Sequence, residues 1–340
     1  MFNEPLFFKP IMIERVWGGN NLEALYGKSI PAGKIIGESW ELSDRPEAQS
    51  VVEGGEFDGW TLRQLLEKYP REILGDLPDR QRFPLLVKYV DAGEKLSVQV
   101  HPDDDGATIF NDLGKSECWV VIRAEPGAKL VRGLKPGVTR EVFTQAVADG
   151  NVENLLHYFE PKVGDVVALP CGTVHAIGKG LVVAEVQQNS DVTLRIYDYN
   201  RMGLDGRLRK LHVKEAISAI RFDKPGDEFD GDMTRDTVEP KREGEIGESL
   251  LTGKYFDLAR ITLSAENMSV TLPSGETHTT SLELEFDSQT SPTVVMVIEG
   301  QGEICGRTVT TGMTGLIPAS VQSINVMPTG SMTLLLATPK

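Results

Sequence analysis

A short predicted strand near residue 100 presents two side chains that can bind a metal ion. Along Lys95–His101, side chains alternate between the two faces of the strand, so Gln99 and His101 project to one face and Val98 and Val100 to the other. Two ligand-competent side chains on one face are unusual in a half-buried strand. Taken alone, the pair could also form a solvent-facing polar edge, so the neighbouring motifs decide the interpretation.

A Gly/Pro pattern further along the chain positions a second histidine. Gly164 and Asp165 make a turn, Val166–Leu169 form a strand, and Pro170–Gly172 bend the chain before His175. This spacing, Gly-x5-Pro-x-Gly-x2-His, resembles the second half-motif of the cupin fold at every stated position. The pattern therefore predicts that His175 points into the interior of a β-barrel.

The first half-motif of that fold is altered in this chain. A typical cupin has Gly-x5-His-x-His followed by Glu after three or four residues. Here Gly93-x5-Gln99-x-His101 is followed by a fifteen-residue stretch, Pro102–Ser116. We expect this stretch to loop out and return, so that Glu117 opens the next strand, Glu117–Ile122.

These side chains form a recognisable set of metal ligands. Two neutral imidazoles and one carboxylate, from His101, His175 and Glu117, are typical of catalytic zinc. The amide oxygen of Gln99 adds a weaker ligand. Because such sites also accept iron, manganese or cobalt, the pattern predicts a bound metal ion and leaves its identity open among these metals.

The elements that must position this set are mostly short strands. Apolar or alternating runs are separated by Gly, Pro and Asp, which predicts a mainly β fold. We interpret it as two cupin-type, jelly-roll β-barrels with a few short helices. The predicted strands include Phe83–Val90, Lys95–Val100, Val166–Leu169, Leu181–Val186, Val192–Tyr197, Leu258–Leu263, Thr293–Ile298 and Met332–Ala337.

Helical patterns interrupt the strands at four places. Thr61 can cap a helix that Pro70 stops, and Thr139 can cap another that Gly150 closes. The inward residues predicted for the second helix are Val142, Phe143, Ala146 and Val147. The other two predicted helices are Asn151–Phe159 and Val213–Ile220.

A weak internal repeat suggests how the chain is divided. Gly164–Thr173 resembles Gly312–Val321, since each has a glycine, an apolar stretch and a proline turn, but no histidine follows the second copy at the place of His175. We expect a catalytic cupin domain at residues 1–223 and a C-terminal barrel without metal ligands at 250–340. Residues 224–249, with nine carboxylates against four basic groups, are the expected polar connection.

Composition narrows the function classes. The 340 residues include 35 basic and 50 acidic side chains, a net charge of −15, which disfavours nucleic-acid binding because phosphate contacts need clustered Lys and Arg. The three separated cysteines, Cys118, Cys171 and Cys305, argue against a disulfide framework. No signal-peptide pattern and no stretch long enough to span a bilayer is present, so we expect a cytoplasmic protein.

Longer segments resemble type I phosphomannose isomerases. They cover roughly the first two-thirds of the chain, and the likeness extends more loosely into the last third. Compared with eukaryotic members, the sequence lacks a large inserted helical domain and resembles the short bacterial form. The matching segments are Val16–Gly19, Gly37–Glu41, Phe83–Lys88, Gln99–Asp104, Gly114–Trp119, Pro170–Gly180, Ala184–Asp198 and Gly203–His212.

This resemblance implies a zinc enzyme that interconverts mannose 6-phosphate and fructose 6-phosphate, with one Zn²⁺ per chain. It places the metal ligands on Gln99, His101, Glu117 and His175, and the essential arginine on Arg195. The expected partner is the sugar phosphate, with no nucleic acid and no membrane. We expect the chain to be a monomer or a homodimer.

Isomerisation of such a sugar needs a base near C1 and C2. A proton moves between these carbons through a cis-enediol, and positive charge must stabilise the enediolate. Glu185, ten residues before Arg195, is our first candidate for the base, although an acid in the barrel wall that pairs with Arg195 is a comparable interpretation. Lys115 and Asp198 also remain candidates.

Phosphate binding needs cations, and three lie on or next to the matching strands. They are Arg195, Lys115 and Lys88; an arginine can hold phosphate through two parallel hydrogen bonds, whereas lysine acts as a point charge. For Lys88, an ion pair with an inward carboxylate is an equal alternative. The tryptophans are interpreted as packing residues: Trp17, which could also line the sugar entrance, Trp40, Trp60 and Trp119.

Two other functions stay open. One is a different metal cupin, such as an iron oxygenase, which would have no need of Lys115 and Arg195 beside the metal. The other is a non-catalytic bicupin that binds sugar phosphates, which the complete ligand set of the first barrel argues against. Metal content and turnover distinguish the three functions.

Overall fold

Antiparallel β-sheets account for most of the regular secondary structure in the computed structural model, which describes residues 2–78, 82–223, 233–234, 247–266, 269–271, 277–279, 281–286 and 290–340. In this part of the chain, two sheets face each other and enclose the predicted metal ligands. A third and larger sheet packs against the outer face of one of them. The expectation of a mainly β, cupin-type fold with few short helices is confirmed.

The first of the facing sheets supplies most of the charged side chains of the interior. Alternation along its strands turns Lys88, Glu117 and Glu185 inward, while Val87 and Ala184 pack on the outer side in a core shared with the C-terminal sheet. In spatial order, its six described strands are Val166–Leu169, Glu117–Ala124, Leu181–Gln188, Leu85–Ala92, Ile11–Gly19 and Ile36–Leu42.

The second facing sheet supplies the histidines. Val98 and Val100 pack on its outer face with Phe143 and other apolar residues, so Gln99 and His101 face the first sheet, as the alternation predicts. In spatial order, its five described strands are Leu156–Phe159, Leu130–Leu134, His175–Ile177, Val98–Val100 and Leu194–Tyr197.

The third sheet combines C-terminal strands with the N-terminal strand, since Leu6–Lys9 pairs with Thr314–Ile317. In spatial order its main path is Met233–Thr234, Gly247–Gly253, Phe256–Ser264, Ser323–Pro339, Thr293–Ile304, Thr314–Ile317, Leu6–Lys9 and Val51–Val52. Leu282–Glu285 and Arg307–Thr310 pair off this path, and separate ladders join Asp44–Arg45 to Ala48–Gln49 and Ser269–Thr271 to Thr277–Thr279. Most of the predicted connection at 224–249 lies outside the described residues, so the proposed domain division stays a prediction.

The internal repeat has a structural counterpart. Val166–Leu169 and Thr314–Ile317 are both strands that lead into a proline, and the glycines before them, Gly164 and Gly312, have φ of +90° and +91°. A glycine tolerates this backbone conformation because it has no Cβ. The same local turn chemistry therefore builds a similar corner in both halves of the chain.

The helices are short and lie outside the facing sheets' interior. Thr61 caps its helix in a capping box with Gln64, and Thr139 accepts a hydrogen bond from the Val142 amide, as predicted. The described α-helices are Asn21–Tyr26, Leu62–Lys68, Pro70–Leu74, Asp104–Ala107, Arg140–Ala148 and Val213–Ala219, and the 3₁₀ turns are Thr108–Phe110 and Val152–Leu155.

Two helix predictions were wrong in detail. The segment Asn151–Phe159 forms a 3₁₀ turn and then a strand, Leu156–Phe159, which pairs with Leu130–Leu134. A nine-residue helix is only marginally stable on its own, so strand pairing with Leu130–Leu134 is favoured over the helix. In the helix Arg140–Ala148, Phe143 is buried but Val142 is 49% exposed, so the inward face is narrower than predicted.

Candidate active site between the two sheets

His101, Glu117 and His175 lie together between the facing sheets. One ligand atom from each lies within 4.8 Å of the others, and all three residues are buried. His175 stands opposite Gln99 in the strand register, and Glu117 begins its strand in the other sheet. The long stretch between His101 and Glu117 therefore returns the chain to the same point, as the altered half-motif requires.

Backbone carbonyls fix the tautomer of both imidazoles. Nδ1 of His101 donates to the carbonyl oxygen of Val192 (2.7 Å), and Nδ1 of His175 donates to that of Thr173 (2.9 Å). Because a carbonyl only accepts, each Nδ1 carries the proton and each Nε2 keeps its lone pair. These Nε2 atoms face Glu117, at 3.4 Å from Oε2 for His101 and 3.3 Å from Oε1 for His175.

Two acceptor atoms therefore meet at Glu117, where Oε1 faces Nε2 of His175 without a proton between them. Its Oε1 is buried and has no hydrogen-bond donor. Burial lowers the pKa of His101 to about 3 and also lowers the pKa of His175, so both rings are neutral at pH 7. Burial acts to raise the pKa of Glu117, but the charge of Lys115 holds it well below its usual range. Two neutral imidazoles and one carboxylate are a ligand set that suits a divalent cation.

Gln99 adds an amide to this set. Its amide nitrogen lies 3.2 Å from Nε2 of His175, and its oxygen accepts a hydrogen bond from Ser97 Oγ (3.2 Å). The two ends of a planar amide have nearly the same shape, so a half-turn about the last torsion offers the oxygen instead. The residues present thus fit a metal ion held by His101, Glu117 and His175, with Gln99 as a weaker ligand.

Lys115 brings positive charge to the same cluster. Its Nζ donates to Oε2 of Glu117 (2.8 Å) and lies 3.1 Å from Nε2 of His101. The residue is buried, and it comes from the end of the loop that precedes Glu117. An ammonium at this place can stabilise negative charge that develops on a bound molecule.

A cavity of about 410 Å³ adjoins the cluster. Its volume is in the range of small-molecule sites. Gln99 and Lys115 line the cavity and also contact the histidines of the cluster. The other charged side chains of the wall are Glu14, Arg15, Glu38, Lys88, Glu185, Asp191, Arg195, Asp205 and Arg209.

Glu185 lies in the cavity wall beside two lysines. Its Oε1 is 3.0 Å from Nζ of Lys88 and 3.8 Å from Nζ of Lys115. Burial and the charge of Glu117 raise the pKa of Glu185, against the opposing effect of the lysines. Glu185 therefore pairs with Lys88 and not with Arg195, and the ion pair considered for Lys88 is present.

Two arginines share one side of the cavity. Nε of Arg195 is buried without a hydrogen-bond partner, and burial lowers the pKa of this guanidinium. Burial and the charge of Arg195 lower the pKa of Arg209 to about 10. Arg209 pairs with Asp198 (3.1 Å), which also binds Arg201 (2.7 Å). Asp198 is thus held by two arginines and is absent from the described wall of the cavity.

Six charged residues of the wall were not identified as site residues from the sequence: Glu14, Arg15, Glu38, Asp191, Asp205 and Arg209. Glu38 accepts a hydrogen bond from Nε of Arg15 (2.8 Å) and lies 3.6 Å from Nζ of Lys88. Glu38 and Arg209 fall inside segments that resemble the isomerase family, so the resemblance could have identified them as candidate site residues. Their roles depend on how the strands face each other, which those segments alone do not specify.

Comparison with known proteins places these residues in a family. The family model described as "Phosphomannose isomerase type I, catalytic domain" matches residues 6–124. Mannose-6-phosphate isomerase ManA of Bacillus subtilis is 41% identical over 267 residues, which cover 78% of this chain and 81% of that protein. The chain belongs to the type I phosphomannose isomerase family.

Other phosphomannose isomerases are also similar to this chain in sequence or in fold. The mannose-6-phosphate isomerase of Streptococcus mutans is 41% identical over 223 residues, 65% of this chain and 69% of that protein. The crystal structure of the Bacillus subtilis mannose 6-phosphate isomerase has a TM-score of 0.84 at 31% identity and covers 98% of this chain and 99% of that one. A Salmonella typhimurium phosphomannose isomerase variant, 16% identical with a TM-score of 0.74, is alike in fold.

The resemblance read from the sequence is therefore confirmed. The members named above are aldose–ketose isomerases, so this chain is a member of an enzyme family of that class. Among the described residues, no helix is both long enough and apolar enough to cross a membrane.

Proposed function

We propose that this protein interconverts mannose 6-phosphate and fructose 6-phosphate. The observation that carries the proposal is one cavity that joins a metal-ligand set, the buried carboxylate of Glu185 and the guanidinium of Arg195. The names of its relatives support the same substrate pair. Among the described residues, no specific contact favours an oxygenase or a non-catalytic sugar-phosphate-binding protein.

We assign one Zn²⁺ per chain to His101, Glu117 and His175, with Gln99 as a weaker ligand. When bound, the ion supplies positive charge that stabilises the negative oxygen of the enediolate. The chain's own contribution is preorganisation, because the backbone carbonyls already hold both imidazoles in the tautomer that a metal needs.

Glu185 is the proposed base. Its carboxylate removes the proton from C2 of the open-chain aldose. The C2–H electron pair then forms the C1–C2 double bond, and the π pair of the C1 carbonyl moves to O1, which gives the cis-enediolate. Return of that proton to C1, with transfer of the other proton from O2 to O1, gives the ketose. A raised pKa suits this role, because a base works best when its pKa approaches the working pH.

Two lysines complete the catalytic set. Lys115 lies 3.8 Å from Oε1 of Glu185 and can carry the proton that moves between the sugar oxygens. Lys88, 3.0 Å from the same oxygen, contributes positive charge beside the enediol. Asp198 is a poorer base than Glu185, because two guanidiniums already occupy its carboxylate.

The phosphate is proposed to bind Arg195 and Arg209. Each guanidinium disfavours the charge of the other in the free protein, and a phosphate dianion between them relieves that repulsion. Lys88 and Lys115 would then contact the sugar rather than the phosphate. The chain would thus bind the two ends of its substrate with separate groups.

The sugar phosphate is the proposed partner. The net charge of −15 gives no support for nucleic-acid binding. A cytoplasmic location and a monomeric or homodimeric state stay predictions. Size-exclusion chromatography with light scattering would determine the oligomeric state.

Conversion of mannose 6-phosphate to fructose 6-phosphate by purified protein tests the proposal. We expect turnover that a chelator abolishes, that Zn²⁺ restores, and that His101→Ala lacks. Metal content, measured by mass spectrometry, should approach one Zn²⁺ per chain and fall in the variant. A folded protein that holds its metal but converts neither sugar would contradict the proposal.

A further inference from the structure

Four side chains form a continuous row across the inward face of the six-stranded sheet. In the strand register, Trp119 stands opposite Glu185, Glu185 opposite Lys88, and Lys88 opposite Trp40. All four residues are buried, at 1, 4, 4 and 2% exposure. A tryptophan therefore closes each end of a row whose centre is an ion pair.

Each tryptophan donates its indole N–H to a carboxylate. Nε1 of Trp119 lies 2.8 Å from Oε2 of Glu185, and Nε1 of Trp40 lies 2.7 Å from Oε2 of Glu38. Nζ of Lys88 lies between these carboxylates, 3.0 Å from Oε1 of Glu185 and 3.6 Å from Oε2 of Glu38. Both tryptophans were interpreted from the sequence as packing residues only, so the structure adds a polar contact to that role.

The indole contact determines which oxygen of Glu185 faces the two lysines. With Oε2 held by Trp119, Oε1 stays directed at Lys88 and Lys115. An indole N–H donates and cannot accept, and it neither gains nor loses a proton in the working pH range. It can therefore orient a carboxylate without competing with it as an acid or a base.

We propose that Trp119 is a positioning residue for proton transfer, whose indole N–H holds Glu185 in the orientation that reaction between C2 and C1 requires. Trp40 acts in the same way on Glu38, which keeps the Lys88 ammonium in its place. The inference rests on the proposed isomerase function, in which Glu185 is the base. Neither tryptophan needs to touch the reacting atoms for this role.

Trp119→Phe tests the proposal, with Trp60→Phe as the matched control. Phenylalanine keeps an aromatic ring but has no donor, and Trp60 packs on Phe57 outside the cavity. A hydrogen bond to a charged group is worth about 1.5–3 kcal/mol, so we expect Trp119→Phe to lower kcat about ten- to a hundredfold. KM and metal content should stay within about twofold, because substrate and metal contacts are unchanged.

A kinetic isotope effect separates positioning from general damage. With mannose 6-phosphate deuterated at C2, the isotope effect on kcat should rise in Trp119→Phe, since removal of that hydrogen then limits turnover. Trp60→Phe should leave kcat and the isotope effect as in the wild type. Should Trp119→Phe fail to fold, 3-benzothienylalanine at position 119 keeps the bicyclic shape and replaces the N–H with sulfur.

Each outcome has a distinct meaning. A folded variant without the donor that retains wild-type kcat and isotope effect overturns the positioning role, as does a rise in KM alone. An equal loss of kcat in Trp60→Phe also overturns it. Wild-type protein that does not convert mannose 6-phosphate contradicts the proposed function instead, before any variant is measured.

Discussion

Two buried imidazoles at the centre of the site are kept neutral by their surroundings. Burial lowers the pKa of His101 to about 3 and shifts the pKa of His175 in the same direction. Protons compete with a metal for imidazole, so a histidine with an ordinary pKa of about 6.5 loses affinity roughly tenfold per pH unit below that value. For this pair the competition is displaced to lower pH.

We therefore expect the Zn²⁺ affinity of the cluster to fall less between about pH 7 and 5.5 than the affinity of a site built from histidines with an ordinary pKa. Competition titrations against a chromophoric chelator at several pH values would measure it. His101→Ala, which removes one ligand, should bind weakly throughout the range and serves as the control. A loss of about tenfold or more per pH unit in the wild type would show that the rings titrate like exposed histidines.

The arginines offer a second test at the residue scale. Arg209 and Arg201 both bind Asp198, but only Arg209 belongs to the described cavity wall. If Arg209 binds phosphate, Arg209→Ala should raise KM for mannose 6-phosphate about ten- to a hundredfold, as expected for loss of a charge-assisted hydrogen bond. Arg201→Ala is the control, and steady-state kinetics that give equal KM values for the two variants would refute the assignment.

At the scale of elements, local and distant interactions explain which predictions succeeded. Strand alternation and turn chemistry are local, so they placed Gln99 and His101 on one face and His175 after its turn. The segment Asn151–Phe159 was assigned wrongly because its fate depends on pairing with a strand about twenty residues away. The indole N–H of Trp119 donates to Glu185 on the neighbouring strand, a contact that the sequence does not specify.

The proline turn before His175 yields a prediction about one glycine. Gly172 has φ of +84°, its N–H donates to the carbonyl of His101 (2.8 Å), and a Cβ there would lie 2.5 Å from Cγ of Arg221 and 2.8 Å from the carbonyl oxygen of Ala219. Gly172→Ala must therefore move the turn that links both histidines. We expect a loss of about 1–3 kcal/mol in the free energy of unfolding, together with weaker Zn²⁺ binding.

Gly127→Ala is the matched control, since Gly127 has φ of +78° but a Cβ there would meet nothing within 4 Å. Gly127→Ala introduces backbone strain of about 1 kcal/mol but no steric clash, so it should bind Zn²⁺ normally. Denaturant unfolding and metal titration of both variants would measure the difference. Equal Zn²⁺ affinities would mean that the turn adapts without disturbing the histidines.

At the scale of the whole molecule, the C-terminal sheet contributes contacts rather than ligands. Among its described residues no metal-binding cluster occurs, yet the hydroxyl of Tyr255 donates to Oδ2 of Asp104 (2.8 Å). Asp104 also accepts hydrogen bonds from the amide of Gly114 (2.9 Å) and from Nε2 of Gln188 (3.1 Å). The loop that ends at Lys115 is therefore held in place in part by a contact from the C-terminal sheet.

A second contact reaches the other edge of the site. Nζ of Lys28 pairs with Glu41 (2.8 Å) and donates to the carbonyl of Gly312 (2.8 Å), with both side chains buried. Glu41 lies on the outer face of the strand Ile36–Leu42, whose inner face carries Glu38. The C-terminal sheet thus holds two elements that present charged side chains to the cavity.

Tyr255→Phe tests whether these contacts matter for catalysis. The variant removes one hydroxyl, so we expect about 0.5–1.5 kcal/mol of lost stability, faster amide hydrogen exchange in residues 102–116, and a lower kcat as Lys115 becomes less well placed. Tyr89→Phe is the control, because its hydroxyl also reaches the C-terminal sheet, at the carbonyl of Val297 (3.3 Å), but does not touch the loop. Tyr89→Phe should lower the stability without changing the hydrogen exchange of residues 102–116 or kcat.

Hydrogen exchange measured by mass spectrometry separates the two results, since a general loosening would speed exchange in both variants alike. Equal exchange of residues 102–116 in Tyr255→Phe and Tyr89→Phe would mean that the loop is held by its own contacts, such as those of Asp104 with Gly114. Exchange that rises in Tyr255→Phe alone would mean that a sheet without metal ligands sets the position of Lys115. Loss of that sheet would then reduce turnover through the loop, even where the cluster of His101, Glu117 and His175 stayed intact.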